Sequence, residues 1–159
     1  MATTCACPRC QACCRAIPGA LISVADLNRL EAATREPDET EAAWARRLFV
    51  ASAGAVLGNR VTGDRLEVPT LALHSTAAGA CVHYRDGRCG IYAARPSGCS
   101  DFDCQQTDRE AQTIGLPMHL ERASAFADGS RYARLWMELH AAGARRSREN
   151  LNRRRRALG

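Results

Sequence analysis

The chain contains no lysine; all 22 of its basic residues are arginine. Alanine is abundant, and the two features together match the coding bias of a GC-rich genome, so neither is read as functional. No run approaches the roughly 18 apolar residues of a membrane span, which excludes a helical anchor of that kind. The first twenty residues lack a continuous apolar stretch and carry thiols and arginine instead. That speaks against a secretory signal and makes the cytoplasm the expected compartment. No internal repeat is present. A length of 159 residues, 46% apolar and 25% charged, leaves one ordinary globular domain with a modest core.

Net positive charge is missing from most of the chain as well. Residues 145–159, RRSRENLNRRRRALG, hold seven Arg and one Glu, a net +6, whereas residues 1–144 hold fifteen Arg against sixteen acidic residues, a net −1. The expected organisation is therefore a domain over 1–144 that ends in an amphipathic helix, followed by an Arg-rich tail over 145–159. An acidic partner suits the tail. Nucleic acid is the weaker reading, because no aromatics interleave the arginines and no recognition helix is evident.

What the chain does have is cysteine, nine in all. In the cytoplasm thiols stay reduced, so a dense cysteine pattern points to metal or catalysis before disulfides. An odd total suits eight ligands and one spare better than full pairing. Five of the nine lie in CACPRCQACC, residues 5–14. On an ideal helix Cys7, Cys10 and Cys14 fall within about 60° of one another, whereas Cys13 points about 100° from Cys14. Two neighbouring thiols do not easily chelate one ion. They more naturally serve two ions, or two corners of one polynuclear cluster. The second group, Cys81, Cys89, Cys99 and Cys104, has irregular spacings bridged by turn residues at Asp86-Gly87 and Pro96-Ser97-Gly98. Turns of this kind let widely spaced thiols fold back onto one centre.

The combination of Cys7, Cys10, Cys13 and Cys14 with Cys81, Cys89, Ile91, Tyr92, Arg95, Pro96, Cys99 and Cys104 resembles the cysteine-cluster, CxxCxxCC, family of zinc- or iron-chelating domain proteins. The resemblance spans about residues 7–104 and leaves Cys5 outside. His83 and Ser100 depart from it: an aromatic is common at the first position and a basic residue at the second. The resemblance implies a metal site on the eight cysteines. Some larger members are linked to methylation of flagellin lysines, with an iron–sulfur cluster proposed for them, which implies chemistry on an amino acid or peptide.

Thiolates suit zinc and iron–sulfur centres alike. Two four-thiolate zinc sites would use all eight ligands. The C-x2-C-x2-C run is that of a four-iron cluster, and the vicinal pair favours a polynuclear centre, so iron is the first expectation and zinc the alternative. The expected function is an iron-dependent oxidoreductase or peptide-modifying enzyme. A zinc-stabilised binding module without catalysis and a metal-handling protein are the alternatives. Candidate non-thiol groups are His83 between two of the cysteines, the carboxylates Asp101 and Asp103, and Arg95, whose guanidinium can offset thiolate charge. His74, His119 and His140 are weaker candidates. Metal binding coupled to folding would make the whole domain depend on the centre.

The expected fold is mainly α, with an irregular cysteine-lined metal centre and one short β-hairpin. Pro8 and Pro18-Gly19 bracket a short helix over the first cysteines. A second helix covers residues 23–36, opened by a Ser23/Asp26 capping box, with Val24, Leu27, Leu30 and Ala33 as its stripe. A third covers 39–54, capped by Asp38 and stopped by Gly54. A short strand is expected at 64–68 and a tight hairpin around Asp86-Gly87. The last helix, residues 130–146, has Tyr132, Leu135, Trp136 and Leu139 as its apolar stripe. Trp44, Trp136 and Tyr132 are the expected core anchors.

Overall fold

The computed structural model describes residues 14–15, 21–58, 61–101 and 108–158. Its elements are α1 (Asp26–Thr34), α2 (Glu41–Leu48), β1 (Phe49–Gly58), β2 (Arg65–Leu73), β3 (Tyr84–Arg85), β4 (Arg88–Cys89), a 3-10 turn (Tyr92–Ala94), α3 (Ser97–Ser100), α4 (Asp108–Ala127) and α5 (Arg131–Leu158). β1 pairs with β2 and β3 with β4, both antiparallel. The architecture is mixed α/β rather than mainly α. The helix expected over the first cysteines lies outside the described residues except for Cys14 and Arg15, which are helical.

α1 begins as its sequence demands. Ser23 and Asp26 form a reciprocal box: the Ser23 N–H donates to Asp26 Oδ2 at 2.8 Å and the Asp26 N–H to Ser23 Oγ at 3.2 Å. Leu27 and Leu30 are buried, but Ala33 is exposed, so the stripe is shorter than its three-residue period predicts. α2 is capped by Thr40, whose hydroxyl accepts from the Ala43 N–H, not by Asp38.

The expected third helix covers only the first half of 39–54. At Phe49 the backbone turns extended and becomes β1. The Ala-rich run VASAGAV carries helix propensity, but pairing with the apolar β2 overrides it, since strand preference depends on burial and neighbours. Gly54 is not a helix stop. It sits in a bulge between Ser52 and Ala55, opposite Pro69, where the partner strand has no N–H to offer. Its φ is +81°, and a Cβ there would lie 1.8 Å from the Val68 carbonyl oxygen. β2 is longer than the five residues expected and is buried over most of its second half.

The Asp86-Gly87 hairpin forms as expected, with φ of 49° and 75° at the two turn residues, the primed-turn geometry. α4 occupies a segment in which the sequence signals no element. Gly115 and Pro117 lie inside it, and both read as breakers.

The core gathers Ile22, Leu27, Leu30, Trp44, Leu48, Phe49, Leu71, Leu73, Tyr132 and Leu135. Trp44 and Tyr132 anchor it as expected, and Trp136 and Leu139 pack against its edge. The Trp44 and Phe49 rings meet edge to face at 5.1 Å. The Tyr132 hydroxyl accepts from the Leu71 N–H and donates to the Ile22 carbonyl, both at 2.8 Å, tying α5 to β2 and to the strand-like entry to α1. α5 continues as one helix to Leu158, past residue 145 where the arginines begin to cluster. Among the described residues, no helix is long and apolar enough to cross a membrane.

Candidate metal centre

Four of the eight expected ligands lie among the described residues: Cys14, Cys81, Cys89 and Cys99. Cys7, Cys10, Cys13 and Cys104, the candidate carboxylate Asp103, and Cys5 lie outside them.

The second cysteine segment is held by short-range backbone bonds. The Cys81 N–H donates to the Cys14 carbonyl at 2.7 Å, which stitches the two cysteine segments together. Ser75 and Cys81 form an isolated antiparallel bridge, and the Val82 N–H donates to the His74 carbonyl. Beyond Cys81 the chain turns at once, and the Tyr84 N–H reaches back to the Cys81 carbonyl at 2.9 Å. The same turn aims the backbone N–H groups of His83 and Tyr84 at the Cys81 sulfur. Arg15 adds a side-chain link across the segments: its Nε donates to the Tyr84 hydroxyl at 2.8 Å, and its guanidinium sits over the Tyr84 ring.

Charge ties the four thiols together. Burial pushes the Cys99 thiol up to about 12, and Cys81, Cys14 and Cys89 add to the rise as neighbouring charges, with Asp26 contributing last. Burial likewise raises Cys81, while the two N–H groups pull it down and Cys89 pushes it up. So Cys99 stands within electrostatic reach of Cys14, Cys81 and Cys89, and Cys81 within reach of Cys89. Crowded thiols resist ionising together unless a cation compensates. Backbone N–H groups aimed at a sulfur favour its thiolate form. A soft divalent cation or an iron–sulfur core meets both conditions, so the donor set fits the group. Among the described residues, no three His, Cys, Asp or Glu side chains are yet close enough to hold an ion.

The non-thiol candidates are distributed unevenly. His83 is half-buried, and its Nε2 has no hydrogen-bond partner among the described residues. Burial, then Arg85 and Arg47, lower its pKa, so the ring favours the neutral form that ligates metals. Asp101 is exposed and accepts from the Ser100 hydroxyl at 2.7 Å. Arg95 lays its guanidinium over the Tyr92 ring, 4.1 Å from the centroid. His74 is turned to the Arg46 carbonyl, and His140 stacks on Trp136.

Sequence reasoning missed Asp26 as a partner of the second segment. Its carboxylate accepts from both the N–H and the hydroxyl of Ser97, two residues before Cys99. The box residue was visible in the sequence, but nothing there pairs it with position 97.

The family model CxxCxxCC, described as "Putative zinc- or iron-chelating domain", matches residues 6–115. The chain belongs to this family. Comparison with curated proteins and with solved structures gave no match. The CxxCxxCC match contains eight of the nine cysteines and leaves out Cys5 and the whole of α5. Membership supports metal binding with zinc or iron as the metal.

Proposed function

We propose that the two cysteine segments build one joint thiolate centre that holds iron in a polynuclear or iron–sulfur form, with zinc as the alternative metal. The observation that carries this reading is the backbone bond from the Cys81 N–H to the Cys14 carbonyl at 2.7 Å, which joins the two segments; beside it Cys99 is raised first by burial and then by thiols from both segments. Neither segment has zinc-finger spacing of its own, and the vicinal Cys13-Cys14 pair favours more than one metal atom. Within such a centre the thiolates would ligate the metal, and the N–H groups aimed at Cys81 would hold its charge. The bound group would supply redox or Lewis-acid chemistry.

A second reading adds catalysis on an amino acid or peptide. It is favoured by His83, a half-buried imidazole two residues from Cys81 whose Nε2 has no partner among the described residues. Such a group can ligate an open metal position or take a proton from a substrate.

Metal analysis of anaerobically purified protein tests the first reading. A brown protein with near-stoichiometric iron and visible absorption supports it, and a colourless protein with two zinc ions per chain supports the zinc alternative. Replacing either Cys13 or Cys99 with Ser should remove more than half of the metal. Two independent sites would instead lose one metal each and keep the other, and that pattern rejects a joint centre.

A further inference from the structure

Asp26 is a fully buried carboxylate in the first turn of α1. A buried carboxylate needs several donors to offset its lost hydration. Asp26 has them from three directions. The Ser23 N–H donates at 2.8 Å, the Arg29 guanidinium pairs with Oδ1, and Ser97 donates twice. The Ser97 N–H lies 3.0 and 3.1 Å from the two oxygens, and the Ser97 hydroxyl lies 2.9 Å from Oδ1. A capping box needs only the first of these bonds. The pair from Ser97 comes from 71 residues away and opens the short turn α3, whose third residue is Cys99.

The surroundings make this grip a clamp. Arg29 also donates to the Arg95 carbonyl at 3.0 Å, just before the same turn. Gly98 lies so close to the Leu21 backbone that a Cβ on it would fall 2.5 Å from the Leu21 carbonyl oxygen. Leu21 in turn bridges to Ala72 of β2, and the Ile22 N–H donates to the Leu71 carbonyl. The Arg-Pro-Ser-Gly-Cys segment is thus pinned on one side by Asp26 and Arg29 and on the other by the Leu21 backbone.

We infer that Asp26 is a positioning residue of the metal centre, gripping Ser97 so that the turn carrying Cys99 keeps its place beside Cys81 and Cys14. The inference rests on the reading that Cys99 is a metal ligand. Partners that orient ligands without touching the metal typically contribute 10- to 100-fold in affinity. In Asp26→Asn one oxygen becomes an amide N–H that faces either the Ser23 N–H or the Arg29 guanidinium, and the charge that both serve is gone, so the grip on Ser97 weakens.

The test uses the full-length, metal-free protein titrated with Co2+, read by its thiolate-to-cobalt absorption band and by the thermal midpoint of each variant. Asp26→Asn should weaken Co2+ binding about tenfold or more and shift the band. Ser97→Ala should do both to a smaller extent. Ser23→Ala, which damages the helix cap but leaves Ser97 alone, should lower the thermal midpoint while keeping wild-type affinity and spectrum. Wild-type affinity and band in a folded Asp26→Asn overturn the inference. If that variant does not fold, wild-type affinity and band in Ser97→Ala overturn it. A wild-type protein that takes up no Co2+ overturns both the inference and the reading beneath it, so the two failures are distinguishable.

Discussion

The hydroxyl of Tyr132 works in two directions inside a dry core. It receives the Leu71 N–H and gives its own proton to the Ile22 carbonyl, and the ring is fully buried. Removing the oxygen leaves the buried Leu71 N–H without that acceptor, while the Ile22 carbonyl keeps only the longer bond from the Arg122 guanidinium at 3.3 Å; an unpaired buried N–H costs more than the net worth of a hydrogen bond. Tyr132→Phe should therefore lower unfolding free energy by about 2 kcal/mol. Chemical denaturation with an unchanged slope checks it, and a loss below about 0.5 kcal/mol would show that water or a backbone shift satisfies the Leu71 N–H. The ring itself was legible as a stripe position on the last helix. Its two backbone partners were not, because they lie 61 and 110 residues away.

Local chemistry predicts local structure well in this chain, and long-range pairing explains where it fails. Asp86-Gly87 specified its hairpin because the turn needs positive φ at both positions, a demand two adjacent residues express by themselves. The Ser23/Asp26 box is equally self-contained. β1 is different: its alanines favour a helix, and only β2, whose apolar residues lie beyond an intervening loop, makes extended backbone the better choice. α4 was illegible for the opposite reason, since a Gly and a Pro mark it as broken while packing holds it. The candidate centre follows the same rule. The identities of its cysteines could be read from spacing, but the meeting of Asp26 with Ser97 could not. The β1–β2 pair yields a sharp element-level test at its bulge. Gly54→Ala needs a Cβ 1.8 Å from the Val68 oxygen on a backbone at φ +81°. The left-handed conformation alone costs about 1 kcal/mol or more, and the collision adds to it. We expect a loss of at least about 2 kcal/mol, with metal content unchanged because the bulge lies in the β1–β2 pair and not in the cysteine segments. A wild-type midpoint for this variant would mean that the bulge relaxes freely.

At the scale of the whole molecule, the question is what the metal holds up. The sequence alone makes the entire domain depend on the centre, as in small domains that are unfolded without their ion. The position of the core argues for a narrower dependence. Among the described residues its buried side chains come from 22–30, 44–49, 71–73 and 125–135, and of those in the cysteine segments only Cys81 and Ile91 pack against it, both partly exposed. Trp44, Phe49, Tyr132 and Leu135 therefore keep their neighbours whether or not the thiols are ligated. What loses its cross-link on chelation is the stretch from Ser75 to Asp101, where the strands β3 and β4 have two residues each and α3 has four. Elements that short do not persist on hydrogen bonds alone. Stripping the metal should accordingly leave most of the helical circular-dichroism signal and the buried-tryptophan fluorescence in place. Amide exchange should accelerate across residues 75–101 and stay slow in β2, α1 and the first turns of α5, because local opening follows local contact density. Global loss of helix on chelation, with exchange accelerating uniformly, would show instead that the centre and the core fold as one unit.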